Sequence, residues 1–126
     1  MKESPIFVKC YDLLRWLIPR TLDFPKRQRG VIARQVQQQA FALYEALTDA
    51  AMDEATTLTH LHRADRHLMK LRKYVRLCRD WQLLSVRQYG HACGLMSQVG
   101  RLLGGWIRSV NVQKVQAVTA TNVAAL

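Results

Sequence analysis

Acidic residues are scarce in this chain: nine Asp and Glu stand against nineteen Lys and Arg in 126 residues, a formal charge of +10. The imbalance does not specify a fold. It does attract polyanions, or a strongly acidic protein, and makes their binding weaken as salt rises. Cysteine is also sparse. Cys10, Cys78 and Cys93 are odd in number, lack CxxC spacing and fall on or beside apolar helical stripes, so they read as buried thiols rather than disulfides or zinc ligands. No stretch approaches the ~20 apolar residues of a membrane span. Lys9, Asp12 and Arg15 interrupt the first hydrophobic segment, which excludes a signal-peptide reading and places the protein in the cytoplasm.

Catalytic motifs are missing as well. The chain has no GxxxxGK[ST], no HExxH and no Glu-x-x-His. His60 and His62 are two residues apart and cannot face one ion from a helix, while His67 and His91 stand alone. With carboxylates scattered singly, the sequence points away from an enzyme, and no metal or cofactor is expected.

What is present is helical periodicity, in four segments and without strand alternation. The first opens at Ser4-Pro5, a cap followed by proline at the first helical position, with Phe7, Tyr11, Leu14 and Ile18 as its inward line and Pro19 to bend or end it. The second opens at Pro25 and lines up Ile32, Val36, Ala40, Leu43, Leu47 and Ala50, with Gly30 as its weak point. Thr57 or Thr59 caps the third, whose seam of Leu61, Ala64, Leu68, Leu71, Val75 and Cys78 alternates spacings of 3 and 4. Ser85 caps the fourth, which runs through Tyr89, Ala92, Met96, Val99, Leu103, Trp106 or Ile107, and Val110. These elements predict an all-α fold, an antiparallel up-down-up-down four-helix bundle forming a single domain over residues 1–111. Residues 112–126 carry no stop or cap signal and are expected to be a frayed or disordered tail.

The charge is concentrated in "HRADRHLMKLRKYVRLCRD", residues 62–80, which carries a net +5, half of the total. At 100° per residue Arg63, Arg66, Lys70 and Lys73 fall nearly opposite the apolar seam, with Arg76 at the margin, while Arg72 and Arg79 flank the core with their stems along apolar surface. A charge run is ordinarily a solvated face. A face needing only solvation would mix signs at i,i+4, however, whereas these like charges repel by a few tenths of a kcal/mol per pair. In the fourth helix Arg87, Arg101 and Arg108 fall at multiples of seven and form a second outward line. Beside it runs a small-residue stripe, Cys93, Ser97, Gly100 and Gly104, which fits either close packing within the bundle or a subunit contact. Trp16, Trp81 and Trp106 lie on or near apolar stripes and read as core or interface anchors rather than base-stacking platforms.

Three stretches, "FPKRQR", "LRKYVRLCRDWQLLSVRQY" and above all "QVGRLLGGWIRSVN", resemble the four-helix-bundle family of the accessory variability determinant (Avd) of diversity-generating retroelements, related to proteins encoded in intervening sequences of 23S ribosomal RNA. The resemblance spans about Val8 to Asn111. It implies a homo-oligomer, a pentameric barrel, that is not catalytic and that partners the retroelement's reverse transcriptase, RNA and DNA during mutagenic cDNA synthesis. By position Arg72 and Arg76 match the family's Leu-Arg-x-x-x-Arg stretch, and Arg101 and Trp106 its Gly-Arg and Gly-Trp positions. The expected contact set for nucleic acid or polymerase is therefore Arg63, Arg66, Lys70, Arg72, Lys73, Arg76, Arg79, Arg87, Arg101 and Arg108, with Gly100, Gly104 and Trp106 at the oligomer interface. The alternative is an RNA-binding bundle of the ribosomal intervening-sequence type, without a polymerase partner.

Overall fold

The computed structural model describes residues 3–125, which are helical throughout apart from short connections and contain no strand. The elements are α1 (Pro5–Leu22), α2 (Lys26–Gln28), a π-helical turn (Arg29–Ala33), α3 (Arg34–Met52), a 3-10 turn (Glu54–Thr56), α4 (Thr57–Asp80) and α5 (Val86–Ala125). Contacts of α1 with α3, α3 with α4, α4 with α5 and α5 back to α1 close a four-helix ring around one core.

The seams expected for the later helices are the buried ones. In α4 Leu61, Ala64, Leu68, Leu71, Val75 and Cys78 are all buried. Ile32, Val36, Ala40, Leu43, Leu47 and Ala50 are buried too, and so is Ala33 beside Ile32, because the π turn inserts one extra residue into the rod formed by α2 and α3. Gly30 sits inside that turn.

α1 departs from expectation by one residue. Its buried line is Ile6, Cys10, Leu13, Leu17 and Thr21, while Phe7, Leu14 and Ile18 only flank the core and Tyr11 is 55% exposed. The apolar face of α1 is two lines wide, both repeating at helical spacing, so periodicity alone does not choose between them. Nor does Pro19 end the helix, which continues to Leu22. Around the proline, side-chain donors reach backbone carbonyls: Arg20 Nη1 to Trp16 O at 3.1 Å and Thr21 Oγ1 to Ile18 O at 2.6 Å.

α4 starts at Thr57, but no side chain caps it. The Thr57 hydroxyl instead lies 3.0 Å from Ala50 O and 2.9 Å from Asp53 O, tying the start of α4 back to the end of α3. α5 does open on its expected cap. Ser85 Oγ accepts from Gln88 N–H while Gln88 Oε1 accepts from Ser85 N–H, both at 3.0 Å, a reciprocal capping box. The frayed tail expected from residue 112 is instead continuous helix through Ala125. No Gly or Pro follows Gly105, so nothing in the sequence stops it. At 40 residues α5 is about 60 Å long against about 36 Å for α4, so its last turns pass beyond the bundle, and residues 111–122 are exposed.

Candidate nucleic-acid interface

The cations of α4 divide into those the fold neutralises and those it leaves bare. Arg63 Nη2 pairs with Asp49 Oδ2 of α3 at 2.7 Å, and its Nη1 is 2.9 Å from His60 Nδ1. Arg79 pairs with Asp80 at 2.8 Å and lies over the Tyr89 ring, 4.7 Å from its centroid. Arg63, expected in the outward strip, is thus held by internal contacts, and so is Arg79, expected beside the core. The other five, Arg66, Lys70, Arg72, Lys73 and Arg76, are exposed and make no salt bridge among the described residues.

The field of this strip acts on His67. Burial first, and then Lys70, Arg63 and Arg66, hold its pKa below the usual imidazole value. Its Nδ1 lies 2.8 Å from Gln39 Oε1, so the neutral ring donates from Nδ1 to α3.

On the α5 side the small residues have an occupant within the chain. A Cβ on Gly100 would lie only 2.5 Å from Arg72 Nη2, and one on Gly104 would meet Arg108 Nη1 at 3.4 Å. Two guanidinium groups thus rest over glycine positions of α5, and a Cβ on Gly100 would also meet Leu68 Cδ2 at 3.6 Å. Arg72 thereby bridges from α4 to the line that Arg87, Arg101 and Arg108 form along the exposed face of α5. Beyond Asp80 no acidic residue occurs at all. Trp106, expected at an interface, is partly buried and packs edge-on to Phe7, with centroids 6.3 Å apart.

Two features escape the sequence reading. The antiparallel register that pairs Asp49 with Arg63 and Gln39 with His67 puts Lys26, Arg27 and Arg29 at the end of the bundle where α4 finishes, adding exposed cations there. The signal was present in "FPKRQR", which has no carboxylate within it. Trp81, expected as an anchor on an apolar stripe, is instead the C-cap of α4 and 49% exposed. Charge is polar along the bundle: Asp49, Asp53 and Glu54 gather at the opposite end, where α3 meets α4.

Nothing in this face resembles a reaction centre. No three His, Cys, Asp or Glu side chains converge on a metal-sized site among the described residues. Burial raises the Cys10 thiol to about 12 and the Cys78 thiol to about 11, so both are unreactive. No described helix is long and apolar enough to cross a membrane.

No curated protein is similar enough to match the chain. A family model described as bAvd-like matches residues 6–110, which takes in nearly all of α1, the whole of α3 and α4, α5 as far as Val110, and both cationic lines. That span includes the Gly-Arg-Leu-Leu-Gly-Gly-Trp-Ile block on which the resemblance to the accessory variability determinant rests, and the chain belongs to the bAvd-like family.

Proposed function

We propose that this protein is a non-catalytic accessory subunit of a diversity-generating retroelement, which binds the reverse transcriptase and nucleic acid and supports mutagenic cDNA synthesis in the cytoplasm. Family membership supports the accessory role. The observation that carries the nucleic-acid half is the set of five exposed α4 cations with no carboxylate partner among the described residues, continued by Arg87, Arg101 and Arg108 on α5. Like charges at i,i+3 and i,i+4 repel by about 0.2–0.5 kcal/mol per pair. Phosphates relieve that repulsion, and the counterions they release supply affinity. Assembly as a homopentamer would gather about fifty net positive charges in one particle and extend the surface along a template.

The test is co-expression with a reverse transcriptase of a diversity-generating retroelement from the same genome, followed by affinity purification with and without ribonuclease. A complex that survives ribonuclease supports a protein–protein contact, with RNA as a second ligand. Retention of RNA alone, with no polymerase, would favour the ribosomal intervening-sequence reading. Retention of neither, at low salt, refutes the proposal.

A further inference from the structure

We infer that the exposed end of α4 is a base-stacking site for single-stranded nucleic acid, with the Trp81 indole as its platform. This rests on the nucleic-acid reading above and gives it a specific strand type. Tyr74, Leu77 and Trp81 follow one another at spacings of three and four along the last turns of α4, so they share one side of the helix. Tyr74 and Leu77 border a shallow surface groove of about 420 Å³ whose other walls are Lys73, Arg76 and Asp80. Trp81 extends this aromatic line to the end of the bundle, where Lys26, Arg27 and Arg29 also stand. Aromatic faces interleaved with unpaired cations suit unpaired bases, which stack, and their phosphates, which pair with Lys and Arg. A duplex hides its base faces and cannot use the indole in this way.

The indole is carried on a rigid mount. Gln82 adopts the left-handed conformation, φ 61°, the only positive φ of the described residues. Gln82 N–H then donates to Arg79 O at 2.9 Å and Leu83 N–H to Cys78 O at 2.8 Å, the paired bonds of a Schellman ending. Leu84, 3% exposed, anchors the turn in the core. The Trp81 N–H is itself held to Leu77 O at 2.9 Å. A left-handed glutamine is unfavourable relative to glycine, and a large indole left in water buries little of its own surface. Together they fix an aromatic plane where the helix ends, so little ordering entropy is lost when a base arrives.

The experiment compares full-length wild type, Trp81→Ala and Trp81→Phe for binding to a dT 12-mer, an rU 12-mer and a 12-base-pair duplex across a salt series. Trp81→Ala should lower single-strand affinity about tenfold and leave the duplex unchanged. Trp81→Phe should retain most single-strand affinity, and the salt slope should stay constant because no phosphate contact is lost. Unchanged thermal melting would show that the fold is intact. Equal losses on single strand and duplex, or no loss on either, would overturn the stacking site, as would a Trp81→Ala variant that binds the strands normally but no longer co-purifies with the reverse transcriptase. Wild type that binds none of the three at low salt would sink the nucleic-acid reading itself, separately from the role of Trp81.

Discussion

Gly94 and Gly100 of α5 form a matched pair for testing what the small-residue stripe does. Each is an interior helical glycine, and replacement by alanine removes a propensity cost of about 1 kcal/mol, worth roughly 4 °C in melting temperature for a domain of this size. At Gly94 a Cβ meets nothing within 4 Å. At Gly100 it would lie 2.5 Å from Arg72 Nη2, while Leu68 Cδ2 at 3.6 Å is in ordinary contact, so only the tip of a flexible exposed side chain must yield. Both variants should therefore melt higher than wild type by similar amounts. Their binding should differ. Displacing the Arg72 guanidinium from α5 removes one charge-assisted contact, about 1.5 kcal/mol or roughly tenfold in affinity. The salt slope for a single strand should also fall by ~0.7 in Gly100→Ala, and not in Gly94→Ala. Anisotropy titrations of a labelled 12-mer across salt, alongside light scattering, provide the assay. Wild-type affinity and slope in Gly100→Ala would refute the claim that the glycine seats Arg72 for phosphate binding. A change in particle mass with binding per subunit unaltered would assign the stripe to a subunit interface.

Further outcomes are expected. Replacing Arg66, Lys70, Lys73 and Arg76 together by Gln should flatten the single-strand salt slope by up to ~2.8, whereas Arg63→Gln, which removes the ion pair with Asp49, should leave the slope in place. Ellman's reagent should modify half-buried Cys93 in the native protein and spare Cys10 and Cys78 until unfolding, since burial holds their pKa near 12 and 11. Gln82→Gly should stabilise the fold by about 1 kcal/mol in thermal melts by relieving the left-handed backbone; a lower melting temperature would contradict the Schellman assignment. His67, its pKa depressed when folded, takes its proton less readily than in the unfolded chain, so stability should fall as pH drops below about 6.5. A bound oligonucleotide should raise the His67 pKa in NMR titrations by screening Lys70 and Arg66, and an unchanged value with ligand bound would place the phosphates elsewhere.

How far the sequence could be read depended on how narrow each pattern was. The Leu61–Cys78 seam of α4 is bordered by charges over most of its length, and all six predicted residues are buried. α1 carries two adjacent lines, and only packing against α3 and α5 decided that Cys10 and Leu13, not Tyr11 and Leu14, face inward. At the end of α5 the missing stop signal works against fraying: with no breaker after Gly105 the helix simply continues through Ala125. Pairing was illegible throughout. Asp49 lies 14 residues from Arg63, and Gly100 lies 28 from Arg72, so both contacts exist only once the bundle register is set. Trp81 continues the Tyr74–Leu77 line as the C-cap of α4, but spacing does not say how much of an indole the neighbouring elements cover, and 49% of it stays exposed.

The pattern of neutralisation argues against a face that is merely solvated. Carboxylates close off the strip near its two ends, Asp49 on Arg63 and Asp80 on Arg79, and the middle five cations receive none among the described residues. A Glu in place of Lys70 or Arg76, both exposed and at i+4 from Arg66 and Arg72, would have gained a few tenths of a kcal/mol per pair at no packing cost. α5 goes further in the same direction. Of its interior glycines it sets two, Gly100 and Gly104, about 2 kcal/mol of helix propensity in all, at positions where the tips of Arg72 and Arg108 lie against its backbone. Solvation alone rewards neither choice, since a guanidinium is as well hydrated one turn further out. A rigid cationic surface held close to the helix becomes favourable only when something negative is bound to it, and a strand whose bases also reach Trp81 meets both conditions.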